Sequence, residues 1–361
     1  MLFHLLYPLS DTWGAFNVFR YITFRAAMAA VTALLISMLL GPWFIRTLRR
    51  LSVGQNIRDV GPQAHFIKAG TPTMGGLLIL FALVVSTLLW SSLVNLYVWL
   101  SLGVTLVFGA IGFVDDYLKV VRGHNMGLTS RQKLTLQIFA GAAAAGVLLT
   151  LAPTYQFDPQ VTLPFFKELA LDLGVFYVPF VVLVLVGSSN SVNLTDGLDG
   201  LAIGCTMIGA ATYAVFTYVA GNRIIAAYLQ IQYVGGVGEV TVFCAALVGA
   251  ALGFLWFNTH PADVFMGDVG SLSLGAAIGM VAVLSKQEIV LVLVGGVFVM
   301  EAISVMLQVA FFKTFKRRIF RMSPIHHHFE MVGWAEPKII VRFWILALIF
   351  ALAALSTLKL R

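Results

Sequence analysis

Apolar runs of about 20 residues, long enough to cross a hydrocarbon layer as helices, recur along the whole chain. They fall at approximately 24–45, 74–94, 97–114, 134–152, 173–190, 200–220, 240–257, 269–285, 288–311 and 339–358. None shows the strict alternation of a barrel strand, and only helices or closed barrels satisfy the backbone in lipid. The pattern therefore predicts an all-α fold, a polytopic membrane helix bundle of about ten transmembrane helices. The whole chain, residues 1–361, reads as a single integral membrane domain. Residues 1–24 mix Pro8, Asp11, Trp13, Asn17 and Arg20 with apolar positions. That is not the short apolar core of a cleavable signal peptide, so the first span is expected to insert and stay. Thr154 to Lys167 reads as a polar external loop with strand-like stretches.

Composition agrees with the pattern. Hydrophobic residues make up 60% of the chain and charged residues 11%, against roughly 25% charged in soluble domains. The formal charge of +7 would suggest nucleic acid for a soluble protein, but in a membrane protein Lys and Arg first mark the loops that stay in the cytoplasm. No nucleic-acid partner is implied. Loops after odd-numbered spans carry Arg46, Arg49, Arg50, Arg58 and Lys68, then Lys119, Arg122, Arg131 and Lys133, then Lys313, Lys316, Arg317, Arg318, Arg321 and Lys338. The opposite loops hold only Lys167, Arg223 and Lys286, besides the terminal Arg20, Arg25, Lys359 and Arg361. The positive-inside bias makes the first set cytoplasmic and both termini periplasmic. Cys205 and Cys244 fall near opposite faces, so no disulfide is expected. Leu307 to Met322, with aromatics among its cations, reads either as a basic amphipathic helix along the interface or as the frayed end of the ninth span.

Five polar clusters interrupt the apolar chain: Lys68 to Gly76, Asp115 to Lys119, Asn193 to Gly200, Asn258 to Ser271 and Pro324 to Glu330. Two predicted spans separate each cluster from the next, and an even number of crossings returns the chain to the same face. All five should meet on the cytoplasmic side, around residues 46–76, 115–133, 190–200, 258–271 and 312–338. Charged groups at span ends are costly against lipid and usually face water, a partner or an ion. Asp115, Asp116, Asp196, Asp199, Asp263 and Asp268 would repel one another and any phosphate unless a divalent cation or lysines intervene. Oxygen ligands shared with a pyrophosphate point to Mg²⁺, with Lys68 and Lys119 as phosphate partners. On helical geometry Asp115 and Lys119 share a face, as do Asn193, Asp196 and Asp199. The run His326, His327, His328 lacks the ligand set of a zinc site and suits anion binding or proton transfer. Glu301, inside the ninth span, is unusual there and has no role evident from sequence.

Phe-Val-Asp115-Asp116, Asn193-Leu-Thr-Asp196-Gly-Leu-Asp199-Gly, Phe265-Met-Gly-Asp268-Val-Gly-Ser and Pro324-Ile-His-His-His-Phe-Glu330 together resemble the polyprenyl-phosphate N-acetylhexosamine-1-phosphate transferase superfamily, and its peptidoglycan branch in particular. The likeness runs from about Phe16 to the C-terminus, and no departure is visible inside the four motifs. It implies an Mg²⁺-dependent exchange at the bacterial inner membrane. Undecaprenyl phosphate would attack the β-phosphate of UDP-N-acetylmuramoyl-pentapeptide and release UMP, the active site facing the cytoplasm. It also implies ten spans, external termini and a homodimer. Carried over by motif, Asp115 and Asp116 form the catalytic acidic pair, Asp268 is catalytic and the metal ligand, and His327 is catalytic. Lys68, Thr73, Lys119, Asn193, Asp196, Asp199, Asn258, Phe265, His326 and His328 bind substrate, with Phe265 either stacking on uracil or serving as an ordinary aromatic.

Three other readings compete. A sister enzyme transferring N-acetylglucosamine 1-phosphate would share the acidic clusters but not this histidine run. An aromatic prenyltransferase would want a further Asp where Lys119 stands. A cation or proton transporter would place ionisable groups near the bilayer midplane rather than at one face.

Overall fold

Helices in lipid gain little from burying apolar surface against one another, and small residues that let backbones touch decide how they pack. A computed structural model of the chain, describing residues 1–51, 70–122, 127–155, 157–164 and 170–359, follows that rule. The ten predicted spans are helices at Ile22–Arg50, Gly76–Trp90, Leu96–Arg122, Ser130–Tyr155, Tyr177–Thr195, Leu201–Ala220, Val240–Asn258, Gly267–Leu284, Gly296–Phe315 and Glu336–Ser356. Among the described residues nine helices are long and apolar enough to cross a membrane. The second, Gly76–Trp90, has 15 residues and is shorter than expected at both ends: at its start Gly75 and Gly76 pair with Phe265 and Met266 of another loop, and at its end the helix stops at Trp90.

The eighth span, Gly267–Leu284, is buried along nearly its whole length and organises the bundle. Its glycines are contact points. A Cβ on Gly270 would strike Met266 and the backbone of Gly76, one on Gly275 the backbone of Ser188, and one on Gly279 the Ser188 hydroxyl. From the third span, Gly112 lies so close to the backbone of Asp268 and Val269 that a methyl group there would overlap it. The first and seventh spans meet similarly: Gly249 lies against the Ala30 backbone and Gly253 against Leu34 and Ser37. Contacts of this kind fix the third and eighth spans, which carry the acidic motifs, at backbone distance.

Between the fourth and fifth spans, Gln160–Thr162 pairs antiparallel with Ala170–Asp172, the one sheet among the described residues. Cys205 and Cys244 are buried free thiols. The ninth span continues as helix to Phe315 and ends at Lys316, whose φ of 55° is left-handed. Leu307 to Met322 is thus the end of that span followed by irregular chain, and no separate interfacial helix forms there. A short helix appears instead at Ile325–Val332 and carries the histidine run.

Candidate active site

The acidic pair sits at the end of the third span, where helical spacing brings Lys119 back over it. Lys119 Nζ lies 2.6 Å from Asp115 Oδ2, 3.5 Å from Asp116 Oδ1 and 2.9 Å from Asp268 Oδ2. Lys133, near the start of the fourth span, reaches the same place: its Nζ is 2.9 Å from Asp268 Oδ2 and 3.9 Å from Asp115 Oδ2. Three carboxylates therefore share two ammonium groups. The remaining oxygens are held by neutral donors. Val269 N–H donates to Asp116 Oδ2 at 3.1 Å and Leu128 N–H to Asp115 Oδ1 at 2.7 Å. Asn193 Nδ2 donates to Asp268 Oδ1 at 2.6 Å and to Ser271 Oγ at 2.8 Å.

Local backbone chemistry places Asp268. It opens the eighth span, where a negative side chain is favoured by the exposed N–H groups of the first turn. Gly267 before it has a φ of 74°, a region open to glycine. A Cβ there would stand 2.6 Å from Asp116 Oδ2 and 2.9 Å from Thr73 Oγ1, so Thr73 borders the cluster. The strand-like stretch around Thr73 is pinned by Phe265 N–H donating to Pro72 O, Gly75 N–H to Phe265 O and Gly76 N–H to Met266 O, each at 2.8 Å. Phe265 is half-buried at this junction.

The fifth-span helix stops at Thr195, so Asn193, Asp196 and Asp199 do not share one helical face as expected. Asn193 points to Asp268. Burial, together with the nearby Asp268, Asp116 and Asp199, pushes the Asp196 carboxyl well above the usual carboxylate range. Asp199 turns to a second cluster, where its Oδ2 lies 3.1 Å from His260 Nδ1 and accepts from Ala262 N–H at 3.2 Å. His260 Nδ1 is also 3.3 Å from Glu336 Oε2, while Glu336 Oε1 accepts from Asp199 N–H at 3.0 Å. Asn258 is a clasp between loops, accepting from Gly200 N–H at 3.0 Å and donating to Val264 O at 2.9 Å. Asp263, expected with the acidic groups, instead pairs with Arg49 at 3.6 Å on the surface.

The histidines divide. His326 is fully buried behind the loop at Gly197, with Nδ1 3.1 Å from Glu301 Oε1. His327 Nδ1 lies 2.6 Å from Glu330 Oε2. His328 turns away: its Nδ1 accepts from Arg321 N–H at 3.2 Å and its ring meets Phe320 edge-on. Lys68 lies outside the described residues. The sequence alone assigns no site role to Lys133, Ser271, His260 or Glu336; for Lys133 the signal is its place at a span end on the same side of the bundle as the acidic groups, as the count of crossings implies.

The donor set fits a hard divalent cation. Carboxylate oxygens of Asp115, Asp116 and Asp268 lie within 4.8 Å of one another, and oxygen ligands of this kind suit Mg²⁺. Asp199, His260 and Glu336 are equally close, but one of those three donors is an imidazole nitrogen, which suits transition metals better than Mg²⁺.

Residues 98–286 match the family model described as Glycosyl transferase family 4. Residues 68–80 match signature 1 of phospho-N-acetylmuramoyl-pentapeptide-transferase. Proteins of that name from Citrifermentans bemidjiense, Pelobacter propionicus and Desulfatibacillum aliphaticivorans are 57%, 58% and 59% identical to this chain, each over the full length of both sequences.

Proposed function

The chain belongs to the phospho-N-acetylmuramoyl-pentapeptide-transferase family, and from that premise we propose that it moves phospho-N-acetylmuramoyl-pentapeptide from UDP to undecaprenyl phosphate, giving lipid I and UMP. The observation that carries this reading is Lys119 Nζ within 3.5 Å of three carboxylates from two spans, with Lys133 beside it. Such a site suits a reaction between two phosphate groups, in which alignment and charge neutralisation do most of the work.

In the proposed reaction an oxygen of the lipid phosphate forms a bond to the β-phosphorus, the bridging P–O bond breaks, and UMP leaves with its electron pair. Asp115 or Asp116 takes any proton the lipid phosphate still carries and orients it. Lys119 and Lys133 hold phosphate oxygens, each yielding part of its present contact with Asp268. Asp268, with Asp115 and Asp116, would hold Mg²⁺, which supplies neutralisation of the pyrophosphate charge when bound. Asn193 fixes the Asp268 carboxylate from the other side. Thr73, Asp196, Asp199, Phe265 and the loop tied by Asn258 form the nucleotide side, and His327 the muramoyl side; Lys68 joins the phosphate partners. In this reading the site opens to the cytoplasm, both termini are periplasmic and the enzyme is a homodimer. An aspartyl-phosphate route is chemically available, but the lipid phosphate is already an anionic nucleophile, so the direct route needs one step fewer.

The test is UMP release from purified protein with undecaprenyl phosphate, Mg²⁺ and either UDP-N-acetylmuramoyl-pentapeptide or UDP-N-acetylglucosamine. Release only with the muramoyl substrate, and only with Mg²⁺ and lipid, is the expected result. Release with UDP-N-acetylglucosamine instead would transfer the chain to the sister reaction. Lipid-free exchange of labelled UMP into the UDP-sugar would replace direct attack by a phospho-enzyme.

A further inference from the structure

Glu301 is a carboxylate inside a membrane span, fully buried, in a position that sequence alone leaves without a role. It faces the equally buried His326, with Oε1 3.1 Å from Nδ1. The contact is not aligned as a hydrogen bond, and neither Glu301 oxygen nor either His326 ring nitrogen has a hydrogen-bond partner. Burying a carboxylate and an imidazole in this way is costly. Replacing such a buried pair by apolar residues of similar volume is often neutral or stabilising, so stability alone does not account for it.

The other edge of the imidazole explains the arrangement. A Cβ on Gly197 would overlap His326 Nε2, stand 3.0 Å from its Cε1 and 3.3 Å from His327 Nε2. The two rings lie with centroids 4.1 Å apart, and His327 Nδ1 is held in its turn by Glu330 Oε2 at 2.6 Å. Each imidazole thus meets a carboxylate at Nδ1 and turns Nε2 to the same glycine. That glycine separates Asp196, near the acidic cluster, from Asp199, at the His260 cluster.

We propose that Glu301 is a positioning residue for substrate recognition: it orients His326 from within the ninth span, so that His326, paired with the Glu330-held His327, braces the Asp196–Asp199 loop through Gly197. A carboxylate beside one ring nitrogen selects the tautomer protonated there and sets the ring plane. Without it the ring can flip, and the loop loses the surface on which Gly197 rests. The inference relies on the reading of that loop as the wall for the UDP-linked substrate, and it assigns Glu301 no contact with the reacting atoms.

The experiment uses the full chain in lipid nanodiscs and compares Glu301→Leu, which removes the side-chain oxygen facing His326 Nδ1, with Glu301→Gln, which keeps one. Steady-state kinetics should show Glu301→Leu raising KM for UDP-N-acetylmuramoyl-pentapeptide by about tenfold, with a smaller change in kcat and no change in KM for undecaprenyl phosphate. Glu301→Gln should recover most of that loss. A second readout needs no turnover: ¹⁵N-histidine NMR, with the His326 signal assigned through His326→Asn. The wild type should show His326 protonated at Nδ1, and Glu301→Leu should lose that signature. An unchanged His326 signal in folded Glu301→Leu overturns the proposal. So does an unchanged KM, or a loss of kcat alone that Glu301→Gln fails to recover. If wild-type protein shows no muramoyl transfer at all, the proposed function fails, while the NMR comparison still judges the Glu301–His326 pair.

Discussion

Both ends of the bundle carry charged groups at the tips of spans, and the two ends handle them differently. At the end opposite the acidic motifs, Arg25 makes a two-pronged pair with Glu239 at 2.6 and 2.7 Å, with Ser92 N–H on the same carboxylate and the Trp90 carbonyl on the same guanidinium. Nearby in kind, Lys286 is sealed against Glu288 at 3.0 Å and Tyr177 at 2.9 Å, and burial lowers its ammonium pKa. Arg25 and Lys286 thus each have a carboxylate of their own. At the other end Asp115, Asp116 and Asp268 share Lys119 and Lys133, and Lys119 remains about a third exposed, its side chain at 35%. Matched and sealed charges hold helices in register, whereas mismatched and accessible charges have capacity left for a ligand. Burial alone does not separate the two, because Asp115 and Asp116 are buried as well.

Removing Asp268 tests the functional end most severely. Asp268→Asn should lower kcat by about 10³-fold or more, with the thermal midpoint within a few degrees of wild type; near-normal turnover at ordinary Mg²⁺ would remove Asp268 from the site. The sealed end should respond in the opposite sense. Glu239→Gln leaves the buried Arg25 guanidinium poorly compensated and should cost about 3 kcal/mol of stability, read as a lower unfolding midpoint in detergent. Its kcat and KM at low temperature should stay at wild-type values, and a folded variant without activity would erase the distinction between the two ends.

The smallest effect sharpens the comparison within the functional end. Burial and neighbouring carboxylates raise the Asp196 carboxyl above its ordinary value of 3.8, so the folded chain binds that proton more tightly than the unfolded one. The resulting stability is fully present below pH 3.8 and is lost as pH rises through the raised value. Asp196→Asn removes this dependence. In Mg²⁺-free buffer its unfolding midpoint should gain on wild type as pH rises, and parallel curves for the two proteins would show that Asp196 is not so perturbed.

Legibility followed the range of each interaction. The ten spans were readable because apolar length is a local property, and the gathering of Asp115, Asp116, Asn193 and Asp268 followed from counting crossings. The Asp115–Lys119 pair followed from helical spacing. Where the helix stops was not readable: the end of the fifth span at Thr195 sends Asp199 to His260 and Glu336, partners 61 and 137 residues away. Nor was the division of three adjacent histidines into two that meet Gly197 and one that faces Arg321, since successive side chains of a short helix point in different directions.

Sequence by itself determined the membrane as solvent, the helical architecture and the face on which chemistry would collect, because hydropathy and parity need no contact information. Only the tertiary structure decided which charges are matched and which are left over. Lys133 became part of the acidic cluster, Asp263 left it for Arg49, and Glu301 acquired His326 as a partner. Each outcome depends on how closely particular helices approach. That distance is set by glycines such as Gly112, Gly267 and Gly270, whose missing side chains matter only when the neighbouring backbone is there to fill the space.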